Sequence, residues 1–258
     1  MRLRSFSAAF VCTLLLAAGV PQSAAAQDEE PTPIVYGVYL TCDPGATERA
    51  SELIRDSWGP LAQARVDAGD LMAWGSATHH SGGSWSRILY HVAMDRAQLF
   101  TSVEEMVVEW EETAPEAAAE FWALCDEHED YVWTYVSGSR PAEDVAQERP
   151  TAGMSVYWVC DEGRGPLIDL LAEEVFAEAW NAQVEAGLVD SWSWYSHFIG
   201  DKYRRLLVTD GATHNDLLTA RDNVLEWVGD NQANLAGEFS NVCNGHVDYL
   251  WNIEISSP

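Results

Sequence analysis

The chain has 258 residues, 47% of them hydrophobic and 12 of them tryptophan, and carries 41 acidic side chains against 14 basic ones for a formal charge of −27. A field of that sign repels the phosphates of nucleic acids and of anionic lipids, which excludes a direct partnership with either. The apolar and aromatic content equally excludes a disordered acidic tail and requires a packed core.

The N-terminal MRLRSFSAAFVCTLLLAAGVPQSAAAQ sets Arg2 and Arg4 before an apolar run of about a dozen residues and then the small-residue site Ala24-Ala25-Ala26, the pattern of an export signal over 1–26. The run is shorter than the roughly 20 apolar residues of a membrane-spanning helix. Cys12 lies within it without the small residues that precede a lipid-attachment cysteine. The mature protein is expected to be soluble and exported, periplasmic or secreted, with residues 27–33 as an N-terminal extension. Without the two signal arginines, 12 basic residues face 41 acidic ones, a charge of −29, and Lys202 is the single lysine. Surface carboxylates this dense suit a saline habitat; a biased genome composition accounts for the missing lysines equally well.

From Ile34 the elements follow in order. IVYGVYLTC alternates and is rich in β-branched and aromatic residues, predicting a strand. ATERASELIRDSWGPLAQARVDAG carries apolar positions at helical spacing, interrupted at Gly59-Pro60 and stopped by Gly69. LMAWGSATHH and SWSRILYHVAM flank the turn-like SGG as a hairpin. RAQLFTSVEEMVVEWEE predicts a helix, APEAAAEFWALCDEH a second one begun by Pro115, and YVWTYV a closing strand.

The same order then recurs. Shifted by 118 positions, VYLTCDPG meets VYWVCDEG, VDAGDL meets VEAGLV, and CDEHEDYVW meets CNGHVDYLW. Trp74 falls on Trp192, His79 on His197, Gly82 on Gly200, Arg87 on Arg205, and Leu89 on Leu207. An internal duplication is therefore expected, with repeat one over 34–138, repeat two over 152–258, and SRPAEDVAQERPT at 139–151 as an exposed linker. Each repeat has the size of a small domain.

A βαββαβ unit with an extra helix, written twice, resembles the dimeric α/β-barrel group of ferredoxin-like proteins, in which two four-stranded sheets face one another. The resemblance covers most of 34–256 and carries no diagnostic catalytic motif. It implies an α+β fold of two tandem ferredoxin-like units packed as a pseudo-twofold barrel. In such a unit the sheet order is 4-1-3-2, so the end of strand one lies beside the start of strand four. Four cysteines of an exported protein allow three pairings. The duplication and this adjacency favour Cys42 with Cys125 and Cys160 with Cys243.

Four candidate catalytic residues emerge as matched pairs, His79 with His197 and His128 with His246, expected near one rim of each sheet. A neutral imidazole suits a general base or a metal ligand; the plainer reading is that His128 and His246 cap a helix end and that His79 and His197 fill a hairpin position. Arg87 and Arg205 suit a clamp on a carboxylate or oxyanion, or a pairing with a nearby Asp or Glu. Tyr131, Trp133 and Tyr135, mirrored by Tyr249, Trp251 and Ile253, share one strand face. They line an aromatic pocket if that face looks between the sheets, and are core if it looks toward the helices.

There is no HExxH, CxxC pair, GxSxG, phosphate-binding glycine loop or CxxCH, so no metal site is expected and no cofactor is indicated by motif. The absence of such motifs points to an exported, disulfide-stapled binding or interaction protein, holding a small apolar or aromatic ligand between its sheets or docking on an envelope protein. The alternative that the resemblance implies is an oxidoreductase or monooxygenase, cofactor-free or haem-dependent, with its pocket inside the barrel.

Overall fold

A computed structural model describes residues 32–140 and 150–257. The export signal at 1–26, most of the extension at 27–33 and the centre of the linker at 139–151 lie outside the described residues.

Strand β1 (Ile34–Thr41) leads through a turn into helix α1 (Thr47–Leu53), which runs on through a π-helical turn, Ile54–Trp58, into α2 (Gly59–Ala68). Gly59-Pro60 does not interrupt this helix, contrary to the sequence expectation: Pro60 stands in the first turn of α2, directly after the π-turn, where a widened ladder accommodates a missing N–H. Gly69 ends the helix in the left-handed conformation (φ 80°). Strands β2 (Ala73–Gly82) and β3 (Arg87–Ala93), helices α3 (Arg96–Thr113) and α4 (Pro115–Leu124), and strand β4 (Glu127–Ser139) complete the first half. The second half follows with β5 (Ala152–Cys160), α5 (Gly165–Ala172), a second π-turn at Glu173–Ala177, α6 (Glu178–Glu185), β6 (Ser191–Ile199), β7 (Arg205–Gly211), α7 (His214–Asn231), α8 (Ala233–Val242) and β8 (Cys243–Ser256).

Local chemistry sets these boundaries. Asp95 caps α3 by accepting from Gln98 N at 2.8 Å, and Thr213 caps α7 by accepting from Asp216 N at 3.1 Å. Asp43 and Asp161 each fold back on a glycine two residues on, accepting from Gly45 N at 2.9 Å and Gly163 N at 3.0 Å. Helix α4 stops at Leu124, so CDEH is not helical as the sequence suggested; His128 and its counterpart His246 stand in strands β4 and β8 and cap nothing.

The eight strands form one closed antiparallel barrel in the order β1-β3-β2-β8-β5-β7-β6-β4. Along the first half the order reads β4-β1-β3-β2 and along the second β8-β5-β7-β6. The two runs do not merely face one another. They join edge to edge, β2 with β8 and β4 with β6, each seam carrying two register shifts. Disulfides link Cys42 to Cys125 and Cys160 to Cys243, both spanning 83 positions. Among the described residues no helix is long and apolar enough to cross a membrane.

Strand alternation divides the core into three. One cluster, including Leu40, Ile54, Trp58, Leu89, Met106 and Trp110, fills the space between the first-half sheet and its helices. A matching cluster around Val156, Ile168, Trp180, Leu207 and Phe239 does so in the second half. The third fills the bore of the barrel with Tyr39, Trp85, Tyr131, Trp133, Tyr157, Tyr203, Tyr249 and Trp251. Gly82 and Gly200, matched at 118 positions, show why glycine is needed at both: a Cβ would lie 2.1 Å from Asp248 O at the first and 2.2 Å from the Tyr131 ring at the second, both at positive φ.

Candidate functional site

Two cavities occupy equivalent places between sheet and helices, one in each half. The first, about 240 Å³, is lined by Tyr36, Leu89 and His91 from the sheet, Trp58 and Trp110 from the helices, and His128 and Asp130 at its mouth. The second, about 220 Å³, has Met154, Leu207, Phe176, Val228, His246 and Asp248 at the corresponding positions. Both are aromatic-walled and apolar, and both have a histidine and an aspartate at the mouth, 3.7 Å apart in the first and 3.6 Å in the second. His128 and His246 are 46% and 44% exposed, so each stands at a pocket entrance with water on one side.

The pockets differ inside. β3 sends Arg87, Leu89 and His91 toward the helices and Ile88, Tyr90 and Val92 into the bore. His91 is fully buried, and neither ring nitrogen has a hydrogen-bond partner. Its ring packs edge-on against Trp58, centroids 5.5 Å apart, and lies stacked beside Tyr36 at 6.5 Å. Burial drives its pKa down to about 3, so the imidazole is neutral. Leaving such a polar group unpaired costs about 1–3 kcal/mol, which makes a buried orphan at the wall of a cavity a candidate for function. Burial, and after it the charge of Asp130, holds the Tyr36 hydroxyl proton well above the usual phenol range. Trp110 is fixed by donating from Nε1 to Ser57 Oγ at 2.9 Å. In the second half Thr209 replaces His91 and Arg221 replaces Val103, its Nη2 3.4 Å from Asp248 Oδ2.

The residues singled out from sequence are spread over both faces of the barrel wall. His128 and His246 line the outer pockets. His79 and His197 stand at the same rim as His128 and His246 but on the bore side, with His79 6.2 Å from the Tyr249 ring and His197 6.0 Å from the Trp133 ring. Burial, then Arg204, lowers the pKa of His197. Arg87 is buried and engaged by the protein itself, donating to Glu254 Oε2 at 2.8 Å, Ser51 Oγ at 2.7 Å and Ser76 Oγ at 3.1 Å. Arg205 grips Asp169 through Nε at 2.5 Å and Nη2 at 2.8 Å. Tyr131, Trp133, Tyr249 and Trp251 face the bore, each pair stacked within its own strand, at 5.1 Å and 4.8 Å between centroids.

His91 escaped the sequence reading because it has no partner at the repeat distance. A usable signal was present: in RILYHVA it is the one polar residue among Leu89, Ala93 and the other positions facing the helices beyond Arg87. Among the described residues no group of three or more His, Cys, Asp or Glu could hold a metal ion.

Comparison with known proteins places the fold. No protein-family model and no curated protein matches the sequence. A protein of solved structure from Fusobacterium nucleatum, described as a candidate monooxygenase, superposes with a TM-score of 0.63 at 7% identity, covering 89% of this chain and 95% of its own. Another so described, from Lactobacillus acidophilus, gives 0.58 at 7% identity over 88% and 96%. An anthrone oxidase-like protein gives 0.54 at 13% identity over 89% and 94%. The chain thus shares the dimeric α/β-barrel fold of these proteins.

Proposed function

We propose that this protein is an oxidoreductase that lets dioxygen act directly on a flat aromatic substrate bound in the first-half pocket. The observation that carries this reading is His91, a neutral, unpartnered imidazole sealed in an aromatic cavity. The names of its fold neighbours, candidate monooxygenases and an anthrone oxidase-like protein, support the same class. They support it better than a protein that only holds a ligand between its two sheets.

An apolar cavity of ~150 Å³ holds benzene, so about 240 Å³ admits roughly two to three fused rings. The substrate would carry an activated C–H bond flanked by such rings. His91 takes that proton, and the imidazolium so formed is stabilised by the substrate carbanion, an ion pair replacing the burial penalty that keeps the free ring neutral. The carbanion's electrons pass to dioxygen and a carbon–oxygen bond forms. One oxygen atom leaves with the proton held by His91 and the second substrate hydrogen as water, turning CH2 into a carbonyl. Trp58, Trp110 and Trp122 hold the ring plane and exclude bulk water.

The residues do not fit haem. The first pocket has one buried imidazole but no basic side chain for the propionates, and Asp130 sits where they would emerge. The second has Arg221 at its wall and Thr209 in place of the imidazole. No step is therefore routed through a haem.

We further infer that the chain is a tandem duplication of one ferredoxin-like βαββαβ unit, over 34–138 and 152–258. The equal strand orders, the paired π-turns and the two disulfides of equal span support this. Arg87 and Arg205 are scaffold, tying sheet to helix, whereas His128 with Asp130 lines the entrance to the active pocket. The N-terminal signal pattern and two disulfides support export to the periplasm or medium.

The test is dioxygen consumption by the purified protein with a panel of anthrone-type and hydroxylated polycyclic aromatics. Oxidation without added cofactor that is lost in His91→Phe is expected. Turnover that survives this substitution, or that appears only after haem is added, overturns the proposal.

A further inference from the structure

The bore of the barrel contains another cavity, about 210 Å³, separated by the barrel wall from both pockets described above. One end of the bore is closed: Trp85 stacks on Tyr249 with centroids 5.1 Å apart, and Tyr203 packs across Trp85 at 5.8 Å. The cavity begins behind this plug, on Tyr39, Trp133, Tyr157 and Trp251, and runs to Val35, Ser191 and Asp210 at the far end.

Its polar groups are sparse and placed at its two ends. At the far end Asp210 accepts from Ser191 Oγ at 2.8 Å. Burial first, then neighbouring Asp190, raises its pKa to about 6, and the groups that act most on it among the described residues include no basic side chain. Tyr90 and Tyr195 both stand within its field; Arg140, just beyond the end of seam strand β4, acts on Tyr135 and Tyr195. At the closed end the Tyr157 hydroxyl is fully buried beside Tyr39 and Ser155, and among the described residues none gives it a hydrogen bond of good geometry. Its counterpart Tyr39 is satisfied, accepting from Trp133 Nε1 at 3.1 Å. The equivalent indole, Trp251, turns to Ser155 Oγ at 3.2 Å instead, so that Tyr157 receives no indole N–H.

A carboxylate with no cation on it among the described residues at one end, a buried hydroxyl that no indole fills at the other and indole walls between them define a ligand. We propose that the bore binds a small arylalkylamine, its ammonium on Asp210, its single ring between Trp133 and Trp251, and a hydrogen-bond acceptor such as a phenol oxygen on the Tyr157 hydroxyl. A cavity of ~150 Å³ already holds benzene, so about 210 Å³ leaves room for a ring with a short arm. Indole faces favour a cation and the desolvated carboxylate pairs with it, whereas an anionic ligand would meet Asp210 and Asp190.

The test is calorimetric titration of the intact protein with tyramine, phenethylamine, tyrosol and 4-hydroxyphenylacetate. Tyramine is expected to bind about ten-fold or more tighter than tyrosol, which lacks the charge, and several-fold tighter than phenethylamine, which lacks the phenol oxygen; the carboxylate should give no binding. Asp210→Asn should erase the preference over tyrosol, and Tyr157→Phe the preference over phenethylamine. Gly153→Val fills the bore, and because a Cβ at Gly153 meets its nearest neighbours at 3.6 Å the backbone accepts it; it should abolish binding while thermal unfolding stays cooperative. The proposal is overturned if none of the four ligands binds at millimolar concentration, if tyrosol binds as tightly as tyramine, or if Asp210→Asn leaves tyramine affinity unchanged. Binding that is lost in His91→Phe and kept in Gly153→Val would move the site to the first-half pocket and equally overturn it.

Discussion

The two outer pockets share a floor plan and differ in contents. Each lies between a four-strand run and its helices, has a phenylalanine from the last helix (Phe121, Phe239) in its wall, and has a histidine and an aspartate at its mouth. Only the first holds a buried imidazole; the second has Thr209 there, and Met154 where the first has Tyr36. What the halves have in common builds the wall, and what they do not share is where the proposed chemistry lies.

The largest effect should show the halves to be equal. Replacing Cys42 and Cys125 by alanine opens a link spanning 83 positions, worth at most about 4.5 kcal/mol in the chain-entropy model. Cys160 and Cys243, of the same span, should cost the same. Denaturant unfolding of the two double variants checks this, and unequal losses above ~1 kcal/mol would show that the halves are not mechanically equivalent.

Activity should then separate them. His91→Phe is expected to lower substrate oxidation by about a hundred-fold or more, in the range found when a general base is removed. Thr209→Val, at the equivalent position on β7, should leave it unchanged, and comparable losses from both would place catalysis elsewhere.

A smaller difference should appear in stability, with the opposite sign. His91→Leu removes two unpartnered buried nitrogens and is expected to stabilise by about 1–3 kcal/mol at pH 8, whereas Thr209→Val removes a single orphan hydroxyl and should gain less. The gain from His91→Leu should grow as pH falls below 6.5. The unfolded ring takes up a proton there, while the folded ring, at about 3, refuses it, so the wild type loses stability between those values and the variant does not. Thermal melts at pH 8 and pH 5 give the comparison; an equal gain at both would mean that the ring is not desolvated.

The smallest effect belongs to the entrances. His128→Gln should change the apparent KM by a few-fold with little effect on kcat, and His246→Gln should change neither. A fall in kcat for His128→Gln would give it a part in the chemical step.

Much of the scaffold was legible from the repeat. The strand run, the glycines that stop α2 and relieve Tyr131, and the cysteine partners all recur at one interval, because two halves with the same strand order need the same turn and staple residues. The seams were not legible. Pairing of β2 with β8 and of β4 with β6 depends on bulges that re-aim the strands, and neither seam has a sequence mark. The continuity of α1 through Gly59-Pro60 was missed for a related reason: a π-turn hides a proline that an ordinary helix interior rejects. His91 was lost because matching residues selects what both halves need, and a residue present in one half is removed by that filter. Asp210 was passed over in the same way, since Val92 stands opposite it in the repeat.

The two seams have a consequence for the charge inside the bore. Had the barrel closed from two identical chains, every bore residue would occur twice. A carboxylate at the position of Asp210 would then face its own copy across a narrow, poorly solvated channel, and like charges so placed resist ionising together. Closing the ring within a single polypeptide removes that constraint, because the bore can carry one acid opposite a valine, and one tyrosine hydroxyl without an indole donor opposite one that has it. With no free edge left to recruit another strand, the ring is also complete at any dilution.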